Sequence, residues 1–190
     1  MSDSSYGTTA VHVLMVCTAN VARSPLAAAL LRNRVRVPDI AVSSAGTHAR
    51  PGQPAAEGSL KLAAERGLDL SEHRSNLLAA DAIERAHLVL VMTEDHRDTC
   101  GALVPGAGAR TFTLREFVRL LGEVDTYSGP VASADRLLWL RQQAHYARPR
   151  SLRPTKPEDI PDPIGAGDAV WRQLGTELDA LLDRVTRAIG

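Results

Sequence analysis

The chain has 190 residues, 44% of them hydrophobic and 23% charged, a composition that fits one soluble domain with a full core. Lysine plus arginine balance aspartate plus glutamate at 22 each, which removes the usual electrostatic ground for nucleic acid or an anionic membrane as partner. No apolar run approaches the ~20 residues of a bilayer span, and the two cysteines, Cys17 and Cys100, make neither a disulfide framework nor a zinc cluster; the expectation is a reducing, cytoplasmic setting without a metal or cofactor.

Residues 1–9 are small and polar, have no basic stretch leading into an apolar one, and read as a flexible tail rather than a secretory signal. The single domain is expected over 10–190. It starts with Ala10 to Val16, a nearly continuous apolar run of the kind buried on both faces of a parallel sheet. Ser24-Pro25 opens a helix, so Cys17 to Arg23 is a short strand-to-helix loop. Ile40 to Ala45 reads as a second strand, Gly46 to Pro54 as a loop, and Ala55 to Arg66 as a helix stopped by Gly67. Ser71 to Ser75 is a connector and Ala79 to Arg85 a short helix. His87 to Met92 is a third buried strand, Glu94 to Leu103 a helix, and Arg110 to Leu114 a fourth, shorter strand.

From there the pattern loosens. Leu114 to Leu121 is helical, Gly122 to Ala132 a loop, and Ala134 to Ala147 carries apolar residues at helical spacing, as core or lid packing. A proline- and arginine-rich stretch follows and is expected to be extended. Ala169 to Ile189 closes the chain as an amphipathic helix. Alternating strands and helices argue for a doubly wound, Rossmann-like α/β fold with a parallel sheet covered on both faces. The region at about 122–160 stands out as an insert.

The chemistry concentrates in Cys17-Thr-Ala-Asn-Val-Ala-Arg23-Ser24-Pro25. Unpaired amides at a helix N-terminus, with the helix dipole behind them, favour an oxyanion. Thr18, Ala19 and Ala22 are small enough for the backbone to wrap a tetrahedral anion, and Arg23 supplies a planar, two-pronged donor. The same field favours a thiolate at Cys17, the nucleophilic form. A thiolate beneath a bound phosphoryl group is set for in-line attack, and the leaving oxygen then requires a proton from elsewhere in the fold. The bland alternative is a buried cysteine and a solvated arginine at a strand end. The buried strand before and the Ser-Pro helix start after argue against it.

This loop resembles the C-x5-R-S-P loop of the low-molecular-weight protein-tyrosine phosphatase family. The likeness continues, in the family's order, through Ser44-Ala45-Gly46-Thr47, His73-Arg74-Ser75, the strand VLVMTEDH and Asp162-Pro163. It implies four parallel strands with the phosphate loop after the first, and a two-step reaction without metal. Cys17 is the implied nucleophile, Arg23 the phosphate clamp and Asp162 the general acid and then base. The amides of Thr18, Ala19, Asn20, Val21, Ala22, Arg23 and Ser24 are the implied phosphate cradle. Asn20 resembles the asparagine that fixes the loop in a left-handed conformation, Ser24 the serine that bonds the thiolate, and Ser44 and His73 the supporting network. Implied partners are phosphorylated proteins, a tyrosine kinase among them, with no nucleic acid and no membrane insertion; the expected assembly is a monomer or weak dimer.

The sequence departs from the family in four places. Ala19 replaces a glycine. Ala22 replaces a second loop cysteine that in many relatives traps the oxidised nucleophile, so oxidised Cys17 is expected to go further up the oxidation ladder. His48, Ala49, Ile164 and Gly165 stand where tyrosine-specific members carry aromatics; Asp-Pro-x-Gly resembles a protein-arginine phosphatase subgroup, whereas Val21 leans towards tyrosine. The insert is the fourth. Phosphotyrosine hydrolysis leads; a protein-arginine phosphatase, an arsenate reductase short of relay cysteines, and a non-catalytic phosphate-binding protein are the alternatives. His12, His87 and His96 are assigned nothing, Cys100 reads as packing, and Arg148, Arg150, Arg153 and Lys156 raise the expectation of a basic rim ahead of Asp162.

Overall fold

The computed structural model describes residues 10–35, 38–124, 128–152, 154 and 157–190. The expected tail over 1–9, part of the 122–132 loop, and Arg153 and Lys156 lie outside them. The apolar runs form four parallel strands, β1 (Val11–Cys17), β2 (Ile40–Gly46), β3 (Leu88–Val91) and β4 (Thr111–Thr113), in the order β2-β1-β3-β4. The chain leaves β1 in one direction to β2 and returns on its other side to β3, so a crevice opens at the C-terminal end of β1.

Period-two alternation sends the strand side chains to two separate cores. Val13 and Met15 of β1, Leu90 of β3 and Phe112 of β4 point to one face. They are covered by α1 (Arg23–Arg34), α2 (Glu57–Ala64), α5 (Leu114–Leu121), α6 (Ser133–Ala147) and α7 (Asp168–Ile189). Leu14, Val16, Val89 and Val91 point to the other, covered by α3 (Ala80–Arg85), α4 (Glu94–Leu103) and a 3₁₀ turn (Ala107–Arg110).

The element boundaries follow local chemistry. The second helix is shorter than its apolar spacing predicts, since Ala56 is still extended and Gly67 turns left-handed after Ala64. The region expected as an insert joins the core: Leu137, Leu140 and Ala144 of α6 are buried against α5 and α7. Each buried leucine there contributes about 1.5–3 kcal/mol. At the other helix joint, the Trp171 ring of α7 lies so close over Gly58 of α2 that an added Cβ would meet it at 2.3 Å.

Gly46 ends β2 directly opposite Cys17 in the parallel register. A Cβ there would sit 2.6 Å from the Thr18 carbonyl oxygen and 2.7 Å from the Asn20 amide nitrogen, both backbone atoms that cannot rotate away. Gly46→Ala is therefore expected to displace the 18–22 loop at a cost of about 1–3 kcal/mol and to weaken inorganic phosphate binding, as read by thermal melting and calorimetric titration. Wild-type values in both would show that the loop is not held by this contact.

Candidate active site

The loop from Thr18 to Ala22 joins the end of β1 to the start of α1. Helix α1 begins at Arg23 with Ala22 as N-cap, which has no side-chain oxygen with which to close the first turn. Among the described residues the amides of Thr18 to Ala22 donate to no other group. The chain turns at Asn20, the one described non-glycine residue with positive φ, at 53°. Ala19 therefore holds an ordinary conformation, and its Cβ adds no backbone strain.

Asn20 is fully buried and its side chain is fully used. Its Nδ2 donates to Ser24 Oγ and to Ser44 Oγ, both at 2.9 Å, while its Oδ1 accepts the Asn76 amide at 2.9 Å. The His73 Nε2 meets the Asn20 carbonyl at 2.7 Å. Ser24 Oγ, accepting from Asn20, has two acceptors within reach of its own hydroxyl: the Ala45 carbonyl at 3.3 Å and Cys17 Sγ at 3.0 Å. The four residues expected to support the loop thus come together: Asn20, Ser24, Ser44 and His73.

Arg23 is buried, with 3% of its surface exposed. Its Nη1 donates to the Ile160 carbonyl at 3.0 Å, and its Nη2 to Thr18 Oγ1 at 3.1 Å and to Asp162 Oδ2 at 2.5 Å. Its Nε is buried without a partner. A guanidinium donor so placed, at the end of a loop whose amides make no bond, can donate to an oxyanion.

Asp162 reaches this point through a pinned segment. The Ile160 amide donates to the Met92 carbonyl at 2.7 Å, continuing from β3. Asp159 Oδ1 accepts the Glu94 amide at 2.8 Å at the start of α4. Glu158 takes Arg119 of α5 at 2.7 and 3.2 Å. The resulting cleft, of about 390 Å³, is lined by Thr18, Arg23, His48, His96, Asp159 and Asp162, with Asp95 also at its wall.

Of the residues expected as a basic rim, Arg153 and Lys156 lie outside the described residues, and Arg148 does not reach the cleft. Arg148 turns inward, pairing with the buried Glu116 at 2.8 and 3.2 Å and donating to the Gly108 and Thr111 carbonyls, with its guanidinium 4.1 Å above the Phe112 ring. A carboxylate buried as Glu116 is demands a counter-ion, and Arg148 supplies it. The mouth carries carboxylates instead. Cys100 packs against Leu14 and Val16 on the opposite face of the sheet, and burial pushes its thiol up to about 11.

One histidine that sequence reasoning set aside belongs to this cleft. His96 Nε2 lies 3.0 Å from Thr18 Oγ1, and its Nδ1 lies 2.9 Å from Thr93 Oγ1. Burial, and after it the charge of Arg23, hold its pKa down to about 4, against the pull of Asp159, Asp95 and Asp162. The available signal was Thr93-x-x-His96, a helix cap with its side-chain partner at the third helical position.

Comparison with known proteins places these features in company. Residues 12–127 match the family described as low molecular weight phosphotyrosine protein phosphatase. The chain is 33% identical over 178 residues to a protein-arginine-phosphatase of Geobacillus stearothermophilus, covering 94% of this chain and 95% of that one. It is 38% identical over 104 residues to the probable low molecular weight protein-tyrosine-phosphatase EpsP of Ralstonia solanacearum, covering 55% of this chain and 70% of that one. The solved YwlE arginine phosphatase of Geobacillus stearothermophilus superimposes with a TM-score of 0.69 at 32% identity, over 93% of this chain and 91% of that one.

Two outcomes follow from the geometry. Below its ordinary value of 6.5 an unfolded His96 takes up a proton, while the folded one stays neutral down to about 4. Stability therefore falls as pH drops through that window. His12, whose pKa is also lowered, acts in the same direction, so the readout is the difference in melting temperature between wild type and His96→Gln: the gap should narrow as pH falls from 6.5 to 4. A gap that stays constant would contradict the buried neutral imidazole. Second, with Ala22 in the loop and Cys100 on the far face, a brief peroxide pulse should carry Cys17 to the sulfinic acid, detected by mass spectrometry after thiol reductant. Complete return to the free thiol would argue against it.

Proposed function

The chain belongs to the low molecular weight phosphotyrosine protein phosphatase family, and from that premise we propose that it hydrolyses phosphotyrosine in proteins through a cysteinyl-phosphate on Cys17. The observation that carries the reading is one strand-to-helix loop that holds Cys17, with Ser24 Oγ 3.0 Å from its sulfur, the free amides of Thr18 to Ala22 and, at its end, the buried Arg23 with an unpartnered Nε. The proposed unit is a single domain over 10–190, and its substrates are phosphorylated proteins in a reducing compartment, a tyrosine kinase among them.

In the first step the Cys17 thiolate forms an S–P bond in line with the scissile P–O bond, and Ser24 donates to the sulfur. As P–O breaks, Asp162, released from its ion pair with Arg23 and having taken up a proton from solvent, gives that proton to the leaving phenolic oxygen. Arg23 and the loop amides hold the non-bridging oxygens as charge builds on them. In the second step the Asp162 carboxylate takes a proton from water, the water oxygen attacks phosphorus, the S–P bond breaks, and phosphate leaves with Cys17 again a thiolate. Asp162 starts on the Arg23 guanidinium. An arriving phosphoryl dianion competes for that guanidinium and turns the carboxyl towards the leaving oxygen.

A second reading, phosphoarginine hydrolysis, is favoured by one observation. The described walls of the cleft contain no phenylalanine, tyrosine or tryptophan, and Asp95 and Asp159 line it together with Asp162, a setting suited to a cationic leaving group. Matched phosphotyrosine and phosphoarginine peptides, assayed without metal, decide the matter. The expected result is a higher kcat/KM on phosphotyrosine, with Cys17→Ser inactive and Asp162→Ala reduced by about 10²–10⁴-fold. Preference for phosphoarginine would transfer the mechanism to the other leaving group, and no turnover of either would defeat both readings.

A further inference from the structure

His96 lies on α4 and Thr18 on the loop after β1, 78 residues apart in sequence. A histidine that only tightened its own helix would need no more than the local contact with Thr93. Instead its second ring nitrogen is spent on Thr18 Oγ1, the atom that also accepts from Arg23 Nη2. We propose that His96 is a positioning residue for the phosphate clamp, holding the Arg23 guanidinium at its working angle through the Thr18 hydroxyl. This rests on the phosphatase reading above and adds to it a group that touches no substrate.

The physical case turns on what remains when Asp162 lets go. Arg23 Nη2 has two side-chain acceptors, Thr18 and Asp162. Once a phosphoryl group draws Asp162 away, Thr18 is the remaining side-chain acceptor on that prong, while Ile160 holds Nη1 through its carbonyl. A threonine hydroxyl on a loop is a free rotor unless something fixes it. His96 does so from a 5% exposed position in the first turn of a helix, with its own ring locked by Thr93 Oγ1. The ring stays neutral over the ordinary pH range, so it orients the clamp without adding a second cation that would compete with Arg23 for the anion. Interlocked supports of this kind determine how well a binding group is preorganised.

The test is a double-mutant cycle with His96→Leu and Thr18→Val, read on two quantities: kcat/KM for p-nitrophenyl phosphate, and the affinity for inorganic phosphate by calorimetry. Each single change should lower both by about tenfold, as expected for one lost hydrogen bond to a charged network. The double variant should be no worse than the poorer single. Thr18→Ser and His96→Gln, which keep a polar atom in place, should recover to within about threefold. Losses that multiply in the double variant, or a His96→Leu protein with a lower melting temperature but unchanged phosphate affinity, would overturn the proposal. If His96→Leu does not fold, His96→Asn takes its corner of the cycle. If the wild type turns over no phosphoester at all, the catalytic reading fails while the phosphate-affinity cycle still judges the His96–Thr18 link.

Discussion

The site depends on one buried amide. Asn20 takes a backbone conformation that other side chains resist, and its side chain compensates by bonding to three different parts of the fold: Ser24 at the start of α1, Ser44 on β2, and the main chain of Asn76 in the connector before α3. The loop is thereby tied on three sides, and its remaining side is the one that faces the cleft. Gly46 supplies the complementary constraint by leaving room for the loop backbone to lie against β2. A polar group with every hydrogen bond satisfied in a dry interior resists small displacements. That rigidity keeps the amides of Thr18 to Ala22 pointed at one place.

The second half of the site arrives by a longer route. Asp162 is 139 residues from Arg23 and lies beyond the 12–127 span that matches the family. Between them runs helix α6, which is part of the core. The chain then returns under three anchors: Arg119 on Glu158, the Glu94 amide on Asp159, and the Met92 carbonyl on Ile160. Asp162 is thus placed by the same sheet that places Cys17, since Met92 follows β3 and β3 pairs with β1. Large changes in the intervening chain need not alter the distance between the two groups as long as those anchors hold.

How much of this could be read in the sequence depended on the range of the interaction. The strand before Cys17, the loop and the helix after it are local features and followed from adjacent residues, whereas the roles of Asn20 and Ser24 came with the family resemblance. The match of separated motifs brought in Ser44, His73 and Asp162. What stayed hidden required knowing which distant surfaces meet. His96 looked like a helix residue because its contact with Thr18 is 78 positions away. Arg148 looked like part of a basic rim because nothing in the local pattern announced that Glu116 would be buried and would claim it. Charge read along a chain says little about the direction a guanidinium takes when a carboxylate without water lies within reach.

The main chain of Ile160 is engaged on both sides, its N–H by Met92 and its carbonyl by Arg23. Main-chain bonds are indifferent to side-chain identity. Another apolar residue at this position would therefore keep both bonds and with them the register between Arg23 and Asp162. The substitution that this arrangement forbids is proline, which has no N–H to give.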